Sequence, residues 1–110
     1  LFTDRKVEEA LSHFKMAIKL RPNFTKAYYN LGVALFADRK VEEAISYYKM
    51  AIKLNPNYTN AHYNLGYALL QKGEVKEAIH YFRKTLRLKS DHVAAHGHLE
   101  TALLQSQAID

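Results

Sequence analysis

Residues 28–56 read YYNLGVALFADRKVEEAISYYKMAIKLNP, and two amphipathic helices joined by a short link account for the whole stretch. The first runs roughly Lys26–Ala37, with Ala27, Leu31, Ala34 and Leu35 on one stripe. The second runs roughly Val41–Leu54, with Val41, Ala44, Ile45, Tyr48, Ala51, Ile52 and Leu54 forming another. Only about three residues, Asp38-Arg39-Lys40, connect them, so the two helices must be antiparallel neighbours. Asn55-Pro56-Asn57 closes the second helix, because proline cannot continue it and disfavours helical geometry in the residue before. Gly32 stands in mid-helix, where glycine costs about 1 kcal/mol relative to alanine. A close helix–helix approach would justify that cost, with Ala44 as the small residue placed to receive it; Gly66 and Ala78 form the same pair one copy later.

The same pattern recurs along the chain. A shift of 34 residues aligns 1–30 with 35–64, and 22 of the 30 positions are identical. A further shift aligns 35–64 with 69–98 at 9 identities, among them Val41/Val75, Ala44/Ala78, Ile45/Ile79, Leu54/Leu88 and Ala61/Ala95. The survivors are mostly apolar and helically spaced, as residues that hold helices together must be. Arg21-Pro22-Asn23 ends a helix one period before Pro56, and Lys72-Gly73-Glu74 links a second helix pair.

At a 34-residue period, a large residue, Leu-Gly and a second large residue, followed by Ala, aromatic, Ala and Pro, resemble the tetratricopeptide-repeat (TPR) family. Residues 25–58 carry that pattern as Tyr28, Leu31, Gly32, Leu35, Ala44, Tyr48, Ala51 and Pro56. Residues 59–92 carry it as His62, Leu65, Gly66, Leu69, Ala78 and Phe82, departing at Thr85 and Ser90. Residues 1–24 supply Ala10, Phe14, Ala17 and Pro22, a second helix (B) preceded by the end of its first (A). The resemblance implies an all-α fold, a right-handed superhelical solenoid of antiparallel helix pairs, with two complete repeats flanked by half repeats in a single domain over 1–110. Residues 93–110 then form one more helix A, with Ala95, His96, Leu99, Ala102 and Leu103 in register and Glu100 in the glycine position. A carboxylate in a tight helix contact is costly to desolvate, so this helix is expected to be terminal, its outer face in water. The absence of an initiator Met and the opening within a helix A are expected of a piece of a longer array, whose bare flank at Val7–Leu20 could support self-association.

In the family the A helices line a concave groove that holds peptide segments or partner helices. Carried onto this sequence, the groove takes Lys26, Tyr29, Asn30, Val33, Phe36 and Ala37 from one repeat. The next gives Asn60, Tyr63, Asn64, Tyr67, Leu70 and Gln71, and the last helix Ala94, Gly97, His98 and Thr101. Such a surface is aromatic and amide-rich with almost no charge: Asn offers donor and acceptor to a peptide backbone, and Tyr adds area with a hydroxyl handle. The expected partner is a protein or peptide segment with uncharged or apolar side chains. TPRs that bind chaperone tails use a clamp of Lys and Asn, then Asn, then Lys and Arg. Here Tyr29 and Val33 occupy the first pair, Asn64 the middle, and Ala94 and His98 the last, so an acidic C-terminal tail is not the expected ligand.

Composition narrows the remaining classes. With no Cys, disulfides, thiol catalysis and Cys-ligated zinc are excluded. There is no 18-residue apolar run or secretory leader, so no membrane partner is expected; lack of Cys fits either side of a membrane, so the compartment is not fixed, with a cytoplasmic one favoured. His92, His96 and His98 are the only metal-like cluster, but His96 takes the large apolar position and His98 the groove face, so no metal and no cofactor are expected. No nucleophile and base stand in obvious reach, and the chain is not expected to be an enzyme. It could instead be the substrate-recruiting arm of a larger enzyme such as a glycosyltransferase, some of whose repeats resemble this Asn-Leu-Gly style. The net charge is +5, yet no Lys or Arg follows Lys89 and acids alternate with bases elsewhere. RNA binding through Arg83, Lys84, Arg87 and Lys89 is the weaker reading, because no aromatic platform accompanies them.

Overall fold

The computed structural model describes residues 4–109, and all the regular structure among them is helical. Six helices follow in order: α1 (Asp4–Leu20), α2 (Thr25–Ala37), α3 (Val41–Leu54), α4 (Thr59–Lys72), α5 (Val75–Leu88) and α6 (Val93–Ile109). They group into two compact units, Leu1–Pro56 and Asn57–Asp110. In the first unit α2 packs on α1 and on α3; in the second α5 packs on α4 and on α6, and α4 also touches α6. None of the described helices is long and apolar enough to cross a membrane.

Most of each stripe read from the sequence buries, but Val41 and Ile52 at the ends of the α3 stripe are only half-buried and Leu54 is 38% exposed. Ala27, Leu31, Ala34 and Leu35 of α2 meet Ala44, Ile45, Tyr48 and Ala51 of α3, all 6% exposed or less. Their second-unit counterparts are Ala61, Leu65, Ala68 and Leu69 of α4 with Ala78, Ile79 and Phe82 of α5. Thr85 fills the slot that Ala51 fills in the first unit; its Oγ1 donates to the Tyr81 carbonyl at 2.8 Å, so the extra hydroxyl is satisfied within its own helix.

The mid-helix glycines answer to a different neighbour from the one expected. A Cβ on Gly32 would lie 2.6 Å from Cε1 of Tyr48, and one on Gly66 would lie 2.8 Å from Cε1 of Phe82. The atoms nearest such a carbon belong to an aromatic ring, and those of Ala44 and Ala78 are not among them. A ring this close to the backbone fills more volume than a small residue could, and only glycine leaves room for it.

Both helix pairs turn in the same way. Lys40 N–H donates to Leu35 O at 2.9 Å and Arg39 N–H to Phe36 O at 3.0 Å; Glu74 N–H donates to Leu69 O at 2.9 Å and Gly73 N–H to Leu70 O at 3.1 Å. This pair of bonds needs a left-handed residue, which is Gly73 at φ 89° in one turn and Arg39 at φ 64° in the other. The first copy differs, since Asp4-Arg5-Lys6 is helical although Asp38-Arg39-Lys40 is a turn. The carbonyls of Leu35 and Phe36 that hold the later turn correspond to Leu1 and Phe2, which lie outside the described residues, as does the expected end of a helix A there. In α6, Ala95 and Ala102 bury as the register requires, but Leu103 is 41% exposed where Leu35 and Leu69 are 3% and 2%.

Two substitutions test these points by equilibrium unfolding. Gly66→Ala gains about 1 kcal/mol of helix propensity but overpacks Phe82 by about 1–3 kcal/mol, so a net loss of stability is expected. Arg39→Gly removes a left-handed side-chain penalty of about 1 kcal/mol and should raise stability.

Candidate functional site

The residues expected at the binding face divide between the two units. Lys26, Tyr29, Asn30 and Val33 lie on α2 in the first; Asn60, Tyr63, Asn64, Tyr67 and Gln71 lie on α4 and His98 on α6 in the second. Lys26, Asn60 and Gln71 are exposed, and the others are half-buried. Tyr29 rests its ring on Tyr48, the ring that covers Gly32, at 6.0 Å between centroids. Part of each tyrosine therefore serves helix packing and the rest faces outward.

In the second unit three of these residues converge. Tyr63 and Tyr67, one helical turn apart on α4, contact His98 of α6 at centroid distances of 5.8 and 5.1 Å. Phe82 of α5 lies beneath them, 6.0 Å from Tyr63 and 5.9 Å from His98 in a stacked arrangement. His92, just ahead of α6, closes the cluster at 4.7 Å from Tyr63. The ring over Gly66 is thus the floor on which the outward-facing rings sit.

Hydrogen bonding sets the polarity of the cluster. His98 Nδ1 lies 2.9 Å from the Ala94 carbonyl and 3.1 Å from Tyr63 Oη. A carbonyl only accepts, so Nδ1 carries the proton, and Tyr63 Oη stands as its second acceptor. The Tyr63 O–H is then left to donate elsewhere. Burial pushes the Tyr63 hydroxyl above the ordinary tyrosine value of 10.0, and the neighbouring phenol of Tyr67 adds to the shift.

The three C-terminal histidines have separate partners. His92 Nδ1 accepts from Ala95 N–H at 3.0 Å, capping the start of α6, whereas Phe24 and Tyr58 at the same repeat position make no side-chain cap. His96 Nε2–H donates to the Ser90 carbonyl at 2.8 Å, just as Tyr28 Oη donates to Pro22 O at 2.9 Å two periods earlier. Read from the sequence, His92 is only a metal-ligand candidate and Phe82 only the aromatic position of the repeat pattern. A polar ring directly before the first helical residue was the signal for the cap; the contact of His92 with Tyr63 joins positions 29 apart and had none.

Fold and site together define an all-α helical-repeat protein of the solenoid kind. The Tetratricopeptide repeat model matches residues 25–58 and 59–92, and a second model, TPR repeat, matches 6–38, so the chain belongs to the tetratricopeptide-repeat family. Its fold is similar to that of MamA, with a TM-score of 0.89 and 29% identity over 93% of this chain and 60% of that one. It is similar also to the first TPR of Spaghetti (RPAP3) bound to the HSP90 peptide SRMEEVD, at TM-score 0.88 and 26% identity over 94% of this chain and 80% of that one. A third likeness, in fold alone, is to YrrB, a TPR protein described as having an unusual peptide-binding site, at TM-score 0.80 and 24% identity over 87% and 50% of the two chains. The chain spans 60% of the MamA chain's length. No protein of curated function matches it in sequence.

Because the raised Tyr63 hydroxyl keeps its proton longer in the folded chain than in the unfolded one, stability falls as pH rises above about 10, the unfolded tyrosine value. Tyr63→Phe removes this contribution, so alkaline unfolding curves of wild type and variant should differ above that pH and run parallel below it.

Proposed function

We propose that the chain is a protein-interaction module that holds an uncharged or apolar peptide segment, or one face of a partner helix, on its A-helix surfaces. The observation that carries this reading is the Tyr63–Tyr67–His98 cluster, half-buried and held in place by Phe82 and His92. Rings already fixed by packing offer contact area at little further entropic cost, and the spare Tyr63 O–H can meet a peptide carbonyl. Asn60, Asn64 and Gln71 flank the rings with amide donors and acceptors, as Asn30 does beside Tyr29. The contact surface of the first unit is assigned to Lys26, Tyr29, Asn30 and Val33.

Charge supports an uncharged ligand. Helix α6 has no Lys or Arg and α4 has only Lys72, in its last turn. The Spaghetti domain holds an acidic peptide, SRMEEVD, at 26% identity to this chain. In this chain Tyr29, Val33, Ala94 and His98 fill the places where a carboxylate clamp needs cations and an amide, so the ligand chemistry is expected to differ.

A peptide array of uncharged and acidic segments, probed with wild type and with Tyr63→Ala/Asn64→Ala, tests the reading. Wild type should retain apolar segments over acidic ones, and the double variant should bind them at least about tenfold more weakly, a loss of about 1.4 kcal/mol. Equal capture by both proteins would remove this surface from consideration.

A further inference from the structure

Acids and bases that alternate along the chain separate in space within the first unit. Short links make α1 and α3 each antiparallel to α2, so both run the same way and end on the same side of the unit. Their last halves, with the residue after α1, carry Lys15, Lys19, Arg21, Lys49 and Lys53, all exposed, and no acid. Glu8, Glu9, Glu42 and Glu43 stand toward the other side, with Arg5, Lys6, Arg39 and Lys40 to offset them.

The unbalanced lysines alternate with bare apolar side chains. Lys15-Met16-Ala17-Ile18-Lys19-Leu20 recurs without change as Lys49-Met50-Ala51-Ile52-Lys53-Leu54. Met16 is 52% exposed and Leu20 77%; Met50 is 39% exposed and Leu54 38%. Residues four apart share a helix face, so each Met–Leu pair forms one stripe and each lysine pair the stripe beside it. Helix α2 is packed on α3 and still leaves Met50 and Leu54 uncovered, so their exposure belongs to the repeat position and not to a chain end. Nor does the fold require them. Lys84 takes the Met50 position in α5, and Leu88, which takes that of Leu54, is half-buried. Lysines one turn apart repel and an uncovered Met–Leu pair contributes little to a core, yet both helices carry both features.

A cationic stripe beside an apolar one fits a surface of opposite charge with the same spacing. We infer that the last halves of α1 and α3, the B helices of the first unit, dock an acidic amphipathic helix of a partner protein. Its apolar side chains at i and i+4 lie on the Met–Leu pairs, whose unbranched methionines adapt to the shape offered. Its flanking Asp and Glu meet Lys15, Lys19, Lys49 and Lys53. An anionic membrane would meet the same cations, but these stripes hold no aromatic side chain and only short apolar pairs, whereas interfacial seating uses a continuous apolar face. The surface lies apart from the A-helix positions assigned to peptide holding and takes a ligand of different chemistry.

The test uses the 110-residue chain and a fluorescent synthetic peptide with Leu at i and i+4 spacing and Glu between, read by anisotropy. Wild type should bind it, and more weakly as salt is raised. Met50→Gln/Leu54→Gln removes the apolar pair and Lys49→Gln/Lys53→Gln removes two charges, both at little cost in helix propensity. Each should weaken binding at least about threefold with helix content by circular dichroism unchanged. Met16→Gln/Leu20→Gln makes the same change on α1 and should act alike. Lys72→Gln/Lys76→Gln, which loses the same charge in the second unit, and Tyr63→Ala/Asn64→Ala should both bind as wild type. No binding of the acidic peptide, equal binding of a version with Ala in place of Leu, or equal loss in the Lys72→Gln/Lys76→Gln variant would each overturn the assignment. So would retention of the chain by phosphatidylserine vesicles in preference to the peptide.

Discussion

The contact between a glycine backbone and an aromatic ring organises each helix pair. Gly32 lies under Tyr48 and Gly66 under Phe82, with no room for even one carbon between them. That contact fixes how deeply the two helices of a pair sink into each other, and so which residues reach the core. Leu31 and Leu65, next to the glycines, are wholly buried, as are Ala34, Ala44, Ala68 and Ala78. The flexibility that glycine costs a helix is offset by a ring that would otherwise have to stand further off and leave a void.

The same ring links packing to the outward face. Phe82 supports Tyr63 and His98 from below while covering Gly66 from above, so the positions assigned to ligand contact rest on the residue that closes the core. Tyr48 stands in the same relation to Tyr29 in the first unit. A side chain held this way has little rotamer freedom left to lose, which is why a rigid aromatic surface suits partner binding. The absence of Lys and Arg from α6 further limits what such a surface attracts: without cations there is little to favour an acidic segment over an apolar one.

Much of this was legible in the residues. The period, the boundaries of α2 and α3 to within a residue and most of each buried stripe follow from apolar spacing, because spacing decides which side chains share a helix face, and the helix stops follow from proline; the start of α1 at Asp4, where the repeat predicts a turn, does not. The glycines were legible as sites of close approach but their partner was not. Ala44 and Tyr48 lie on the same stripe of α3, and only the angle and depth of packing decide which of them meets Gly32. Leu103 shows the same limit. Its spacing matches Leu35 and Leu69, yet burial depends on what lies opposite, which spacing along one helix does not encode.

The sequence by itself determined that this chain is a tetratricopeptide-repeat protein built of helix pairs, because a 34-residue recurrence of apolar positions, glycines and prolines leaves few other ways to bury the same stripe. It also determined the electrical character of the A helices, since charge is a property of composition. Only the tertiary structure decided the contacts across helices: the aromatic rings over Gly32 and Gly66, the convergence of Tyr63, Tyr67 and His98, and the proton that His98 shares with Ala94 and Tyr63. These join residues as far as 35 positions apart, and their distances follow from how two curved surfaces fit, which no pattern along one chain contains.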